Sequence, residues 1–187
     1  MKIRLAVKEI QRDSIVDGEG IRSVIWTQGC SHRCPGCHNP ETHSFQEGFL
    51  VDVEVIKNAI NCLEGQDGIT FSGGDPMEQA DACLEIAKYC HEKQLNVWCY
   101  TGYTFEALLE KSEFFPEIGS FLKQIDVLVD GKFELSEKSY DVVFRGSKNQ
   151  RLIDVKQSLE KGKVILYVLS SDKKEIKKNG RGRYMYV

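Results

Sequence analysis

No apolar run in this 187-residue chain reaches the length of a membrane span. The longest candidate, Val164 to Leu169, is strand-sized. The opening stretch MKIRLAVKEIQRDS lacks the long apolar segment of a secretory signal. Neither sign of charge dominates: 25 Lys and Arg stand against 28 Asp and Glu, a net charge of −3. That balance offers no general attraction for nucleic acid or an anionic membrane. There is no internal repeat and no low-complexity linker. An even cysteine framework is missing too, since the cysteines number seven and three of them fall within eight residues. A secreted disulfide scaffold is therefore not expected. These absences point to a cytoplasmic protein in a reducing compartment, with neither nucleic acid nor membrane as partner.

The composition that remains, 41% hydrophobic and 28% charged, is that of an ordinary globular protein. The length suits one domain, 1–187, whose core needs no disulfide staples. Short apolar runs alternate with amphipathic stretches. Ile21 to Thr27, Gly68 to Gly74, Leu95 to Thr101 and Ile125 to Gly131 read as strands, and Lys163 to Leu169 as the last strand. Between them, Asp52 caps a helix with Val55, Ile56, Ile60 and Leu63 on one side. Pro76 suits a first helical turn before Ala80, Cys83, Leu84, Ala87 and Cys90. Thr104 caps FEALLEK, and a further helical piece runs from Pro116 to Lys123.

This rhythm predicts an α/β fold of mostly parallel strands joined by helical crossovers. A complete eight-fold barrel takes about 250 residues, so a partial (β/α) barrel or an open parallel sheet is expected. In either form ligands gather at the carboxyl ends of the strands. There lie the loop after Thr27, Gly73-Gly74-Asp75-Pro76, Thr101-Gly102-Tyr103 and Asp130-Gly131.

The loop after Thr27 reads Gly29-Cys30-Ser31-His32-Arg33-Cys34-Pro35-Gly36-Cys37-His38-Asn39-Pro40. Thiolates are soft ligands for iron and zinc, and C-x3-C-x2-C lets one loop wrap a metal centre. Structural zinc closes with four ligands, and a four-iron cluster is usually held by four cysteines. Three thiolates leave one iron open, which suggests catalysis. The alternative is zinc, completed by His32, His38 or His43, in an interaction module with no activity.

C-x3-C-x2-C followed by Phe71-Ser72-Gly73-Gly74-Asp75-Pro76 resembles the radical S-adenosylmethionine superfamily. Further motifs narrow the resemblance: Val16-Asp17-Gly18-Glu19-Gly20-Ile21-Arg22, Tyr100-Thr101-Gly102-Tyr103, Val127 to Phe133 with Asp130-Gly131-Lys132, and Arg145-Gly146-Ser147-Lys148-Asn149-Gln150. In this order, over roughly residues 5–152, they resemble the activating proteins of anaerobic ribonucleoside-triphosphate reductase. The C-terminal part from about 153 is an extension beyond the compact form of that family.

The resemblance implies a radical S-adenosylmethionine fold and one [4Fe-4S] cluster on Cys30, Cys34 and Cys37. The open iron would chelate S-adenosylmethionine, whose reductive cleavage yields a 5′-deoxyadenosyl radical. It implies that Gly73, Gly74 and Asp75 receive the methionine ammonium, where glycine allows close backbone approach, and that Gly36, Cys37 and His38 line the adenine side. It places Thr101 and Asp130 near the cofactor. The implied partners are the large, glycyl-radical subunit of the reductase and a low-potential electron donor such as flavodoxin. Related short enzymes activate other glycyl-radical enzymes or, like the deazaguanine synthases, rearrange small pterin-like molecules. Arg145, Ser147, Asn149 and Gln150 either touch ligand or partner or form a hydrogen-bonded loop. Cys62, Cys83, Cys90 and Cys99 are expected to be buried and structural. The basic tail, with Lys173, Lys174, Lys177, Lys178, Arg181 and Arg183, reads as a solvated face, with an acidic partner patch as the alternative.

Overall fold

The computed structural model describes residues 1–173. Within them one eight-stranded sheet carries the fold. Its centre is built from β3 (Arg22–Thr27), β5 (Gly68–Gly73), β6 (Asn96–Tyr100) and β7 (Val127–Asp130), paired in that order and parallel throughout. Nearly every residue of these strands is buried, which explains why they read as continuous apolar runs. Helix α1 (Val53–Asn61) links β3 to β5. Helix α2 (Ala80–Glu92) links β5 to β6, and α3 (Phe105–Ser112) with α4 (Pro116–Leu122) links β6 to β7.

Strand alternation divides the interior into two faces. Ile25, Ile69, Phe71, Val97, Cys99 and Leu128 meet the helices, where Cys83, Ile86, Ala87 and Cys90 of α2 recur at helical spacing. The opposite face carries Arg22, Thr70, Trp98, Val127 and Val129. Arg22 is fully buried with no carboxylate beside it. It donates to Thr70 Oγ1, Asn96 Oδ1 and three carbonyls, and its guanidinium lies over the Trp98 ring. Burial lowers its pKa to about 10.

The expectation of a mostly parallel sheet needs correction at both edges. On one side β1 (Lys2–Leu5) and β2 (Gln11–Ser14) pair antiparallel with β3, and β4 (Phe49–Asp52) antiparallel with β1. On the other, β8 (Arg151–Asp154) is antiparallel to β7. The expected last strand, Lys163 to Leu169, does not form. It makes one isolated bridge, Leu166 to Ile153, and the last strand among the described residues is β8 instead. After β8, helix α5 (Val155–Lys161) follows, and Ile165 N–H is taken by the Ser158 hydroxyl at 2.8 Å, which breaks a regular ladder.

The helix starts follow the caps with one amendment. Thr104 Oγ1 accepts from Ala107 N–H, and Asp75 accepts from Met77 N–H above a short 3₁₀ turn, Pro76–Gln79. Asp52 precedes α1 without a side-chain cap bond, and the buried residues of α1 are Val53, Ile56 and Ile60, while Val55 is exposed. Beyond α5 the chain crosses to the start of β3. There Tyr167 Oη and Ser170 N–H both donate to the Glu19 carboxylate. Of the basic tail only Asp172 and Lys173 are described; Lys174, Glu175, Lys177, Lys178, Arg181 and Arg183 lie outside the described residues.

Candidate functional site

A cavity of about 320 Å³ opens at the carboxyl ends of the parallel strands. Its floor follows from strand alternation. Trp26, Ser72 and Tyr100 are the last side chains of β3, β5 and β6 on the face away from the helices, and all three line it. Cys30, Cys34 and Cys37 form one wall, with His38 and His43 beside them. Gly73, Gly74 and Thr101 complete the strand-end side. The structure thus brings together seven of the ten residues expected at the site.

The cysteine loop is fixed by main-chain bonds. Gly29 N–H donates to Thr42 O at 2.8 Å and Cys30 N–H to His43 O at 3.2 Å, so the chain returns after the third cysteine to clasp the first. Within the loop, Cys37 N–H donates to Cys34 O at 3.1 Å, and Cys37 Sγ accepts from Asn39 N–H at 3.4 Å. Cys30 is only 8% exposed, while Cys34 and Cys37 are half-buried. Burial pushes the Cys30 and Cys34 thiols above their ordinary value, so a metal must displace their protons.

The loop also docks tightly on the end of β5. A methyl group at Gly74 would lie 2.3 Å from Gly29 O, so only glycine permits this approach. Gly74 N–H donates to Thr27 O and Asp75 N–H to Gly29 O, each at 2.8 Å.

Three expected residues stand elsewhere. Gly36 turns toward Phe133 and Leu135, leaving the cavity to its neighbour Cys37. Asp75 is fully buried behind the cavity wall. Its carboxylate accepts from Met77 N–H, from Thr101 Oγ1 through both oxygens, from Gly102 N–H and from His32 Nε2. It therefore organises Thr101, Gly102 and His32, all of which line the cavity. Asp130, also buried, accepts from Phe105 N–H and from the Arg151 guanidinium, which bonds Glu106 as well. It ties the start of α3 to β8.

Sequence reasoning gave no site role to Trp26 and Phe133, both of which line the cavity, whereas Gln150, named as a candidate ligand or partner contact, does line it. Trp26 looked like an interior strand position, and period-two counting along β3 places it on the cavity face. Phe133 packs at a tilt of 49° against His38, with ring centroids 4.8 Å apart. Gln150 accepts from Gly146 N–H and donates to Gly131 O, so one lining side chain stitches two lining glycines together. Arg145 donates to Gln150 O within that loop, and Ser147 Oγ accepts from Glu134 N–H, which ties the loop to the segment after β7. Asn149 Nδ2 donates to Lys132 O. Of the other cysteines, Cys83, Cys90 and Cys99 are buried, with the Cys90 thiol pushed up to about 12 by burial. Cys62 differs from expectation: it is exposed at the end of α1.

The donor set fits an iron–sulfur cluster. Three thiols share one wall, and His43 Nε2 is buried without a partner. Among the described residues no three His, Cys, Asp or Glu side chains form a group that would hold a single metal ion. A cluster differs from an ion in that each thiolate binds a separate iron.

The sequence profile described as "4Fe-4S single cluster domain" matches residues 16–153. Three similar proteins carry the name anaerobic ribonucleoside-triphosphate reductase-activating protein. That of Haemophilus influenzae is 33% identical over 146 residues, 73% of this chain and 89% of that protein. That of Pasteurella multocida is 35% identical over the same shares. That of Enterobacteria phage T4 is 31% identical over 143 residues, 73% of this chain and 86% of that protein. Among the described residues no helix is long and apolar enough to cross a membrane.

Proposed function

The chain belongs to the family of anaerobic ribonucleoside-triphosphate reductase-activating proteins, and from that premise we propose that it is a radical S-adenosylmethionine activase acting in the cytoplasm on such a reductase. When bound on Cys30, Cys34 and Cys37, a [4Fe-4S] cluster would supply the electron that cleaves S-adenosylmethionine reductively, so that a hydrogen is taken from a glycine of the reductase. The observation that carries this reading is the convergence of the three cysteines with the ends of β3, β5 and β6 on one cavity.

The residues of the chain have definable parts. Cys30, Cys34 and Cys37 are the ligands. The half-buried pair leaves one side of the site accessible, which a fourth, non-protein ligand needs. Gly73 and Gly74 let a zwitterionic cofactor lie against backbone polar groups. Asp75 holds Thr101, Gly102 and His32 in place for it, and its buried negative charge lies behind the pocket that would receive an ammonium. The His38 ring, packed at a tilt against Phe133, offers an aromatic face to an adenine. The four parallel strands with their covering helices are read as part of a radical S-adenosylmethionine barrel. Its open side is where a loop of the reductase would enter. The electron donor is taken to be a low-potential carrier of the flavodoxin kind.

The test is anaerobic co-expression with the reductase, followed by reduction with S-adenosylmethionine present. A glycyl radical signal by electron paramagnetic resonance is expected. A reduced, intact cluster that yields no such signal would overturn the assignment.

A further inference from the structure

His43 combines two features that no other residue shares among the described residues. Its ring lines the cavity of the three cysteines, and its Nε2 is buried with no hydrogen-bond partner. A buried ring nitrogen without a partner costs about 1–3 kcal/mol, whether it is an unmatched N–H or an unmatched lone pair. Such an atom calls for a partner from outside the chain, and in the tautomer that protonates it that partner is an acceptor. The other histidines are engaged or differently placed. His32 Nε2 bonds Asp75, His91 Nε2 meets Gln124 O, and His38 packs against Phe133. The other orphaned buried side-chain atom among the described residues, Asn149 Oδ1, belongs to a residue outside this cavity and is itself an acceptor.

Local structure holds the ring where it is. The return of the chain along residues 39–43 is pinned by Thr42 Oγ1 to Asn39 O at 2.7 Å and by the two main-chain bonds from Gly29 and Cys30 to Thr42 and His43. The backbone of His43 is thus bonded directly to the first cysteine, and its side chain stays on the cavity wall. One wall member with a bond to sulfur, Asn39 N–H, serves Cys37. Main-chain N–H groups of His32 and Arg33 serve the Cys30 sulfur, so His43 Nε2 is the unmatched side-chain group on a wall whose other donors to sulfur are backbone.

Resting on the proposed function, we infer that His43 donates a hydrogen bond from Nε2 to a sulfur of the cluster held by Cys30, Cys34 and Cys37. Sulfides and thiolates carry lone pairs and no hydrogen, so they match an orphaned N–H and not an orphaned carbonyl. With Nε2 protonated the ring is a donor whether neutral or charged. Hydrogen bonds to cluster sulfurs are one of the means by which a protein raises the reduction potential. His43 therefore makes the cluster easier to reduce.

The experiment uses the full chain with its cluster reconstituted anaerobically, without reductase and without S-adenosylmethionine. The midpoint potential is read by titration followed by electron paramagnetic resonance, alongside iron and sulfide content. His43→Phe removes the donor, and a tenfold loss in the one-electron reduction equilibrium is expected, about 59 mV more negative. His43→Gln keeps a donor and is expected to recover at least half of that shift. A wild-type potential in His43→Phe with full cluster content overturns the inference and leaves the proposed function standing. If, in that case, a separate titration with S-adenosylmethionine shows weaker binding by His43→Phe, the donor serves that cofactor and the inference is overturned. A wild-type chain that takes up no four-iron cluster overturns the function itself. Should His43→Phe lose its cluster, electron–nuclear double resonance on the reduced wild type decides, with histidine ring nitrogens labelled. An exchangeable, nitrogen-bound proton coupled to the cluster supports the bond, and its absence overturns it.

Discussion

Asp75 and His32 are joined by a 2.8 Å hydrogen bond from His32 Nε2 to Asp75 Oδ2, which links the cysteine loop to the end of β5. The same carboxylate serves Thr101, Gly102 and Met77. Replacing it with alanine strips four groups of their acceptor, most of them buried. Asp75→Ala is expected to lower the stability of the cofactor-free protein by about 3–5 kcal/mol. Asp75→Asn keeps one carbonyl oxygen and should lose less. Anaerobic urea unfolding gives the answer as a fall in midpoint with little change of slope. A loss under about 1 kcal/mol in Asp75→Ala would show that the carboxylate does not organise the site.

Arg151 bridges two carboxylates of opposite burial: Asp130 is 1% exposed and Glu106 is 54% exposed at the side chain. Removing the guanidinium leaves Asp130 as a buried charge with only Phe105 N–H beside it. Arg151→Met is expected to cost about 3–5 kcal/mol, whereas Glu106→Gln should cost under about 1 kcal/mol because water screens that pair. Equal losses in the two variants, by the same urea measurement, would contradict this account.

The pH dependence of that bridge has a definite sign. The hydrogen bond from Arg151 holds the Glu106 carboxyl below its ordinary value. A carboxyl depressed in the folded state adds stability above its unfolded value of about 4.3 and surrenders it as pH falls through the folded one. Stability measured from pH 6 down to pH 3 should therefore fall slightly more steeply in the wild type than in Glu106→Gln, by under about 1 kcal/mol given the exposure. A steeper fall in Glu106→Gln would reverse the assignment.

The parallel centre of the sheet was legible because both its faces are buried, so β5, β6 and β7 announce themselves as apolar runs. The edges were not. The residues of β2, Gln11–Ser14, are mostly exposed and polar, and those of β4 are barely covered, so neither carries a period-two pattern. Lys163 to Leu169 has the composition of a strand, yet most of it is half-buried or exposed beside β8, where a serine hydroxyl intercepts the ladder. At the site, thiol spacing identified the metal-binding candidates by chemistry alone. The tasks of Asp75 and Asp130 depend on partners 26 and 21 residues away, Thr101 and Arg151, and no local pattern states those. Nor does a lone histidine reveal that its ring nitrogen is buried and unmatched.

The seven cysteines should separate sharply when iron is counted. Cys30→Ala, Cys34→Ala and Cys37→Ala are each expected to lose most of the iron after anaerobic reconstitution and gel filtration. Cys83→Ala, Cys90→Ala and Cys99→Ala remove a sulfur from the face packed against α2 or β6, away from the cavity. They should keep wild-type iron and lose about 1 kcal/mol each through the small void left behind. Cys62→Ala, at an exposed helix end, should change neither. Iron loss on removing Cys83, Cys90 or Cys99 at unchanged stability would reassign the ligands.

Gly74 is the point where the strand end and the cysteine loop are closest, and it gives the most direct test of how the fold holds the loop. An added methyl would stand 2.3 Å from Gly29 O and 2.9 Å from Gly29 N. These are backbone atoms, so no side-chain rotation relieves the clash. The peptide leading into Cys30 has to move, and the 2.8 Å bond from Asp75 N–H to Gly29 O moves with it. Gly74→Ala should cost about 1–3 kcal/mol in stability, as overpacking does, and should lower iron per chain as well, because Cys30 is displaced relative to Cys34 and Cys37. Gly65→Ala is the control. It has nothing within 4 Å but a φ of +70°, so it should lose about 1–2 kcal/mol from backbone strain and retain its iron. Normal iron in Gly74→Ala would mean that the loop holds its sulfurs without help from β5.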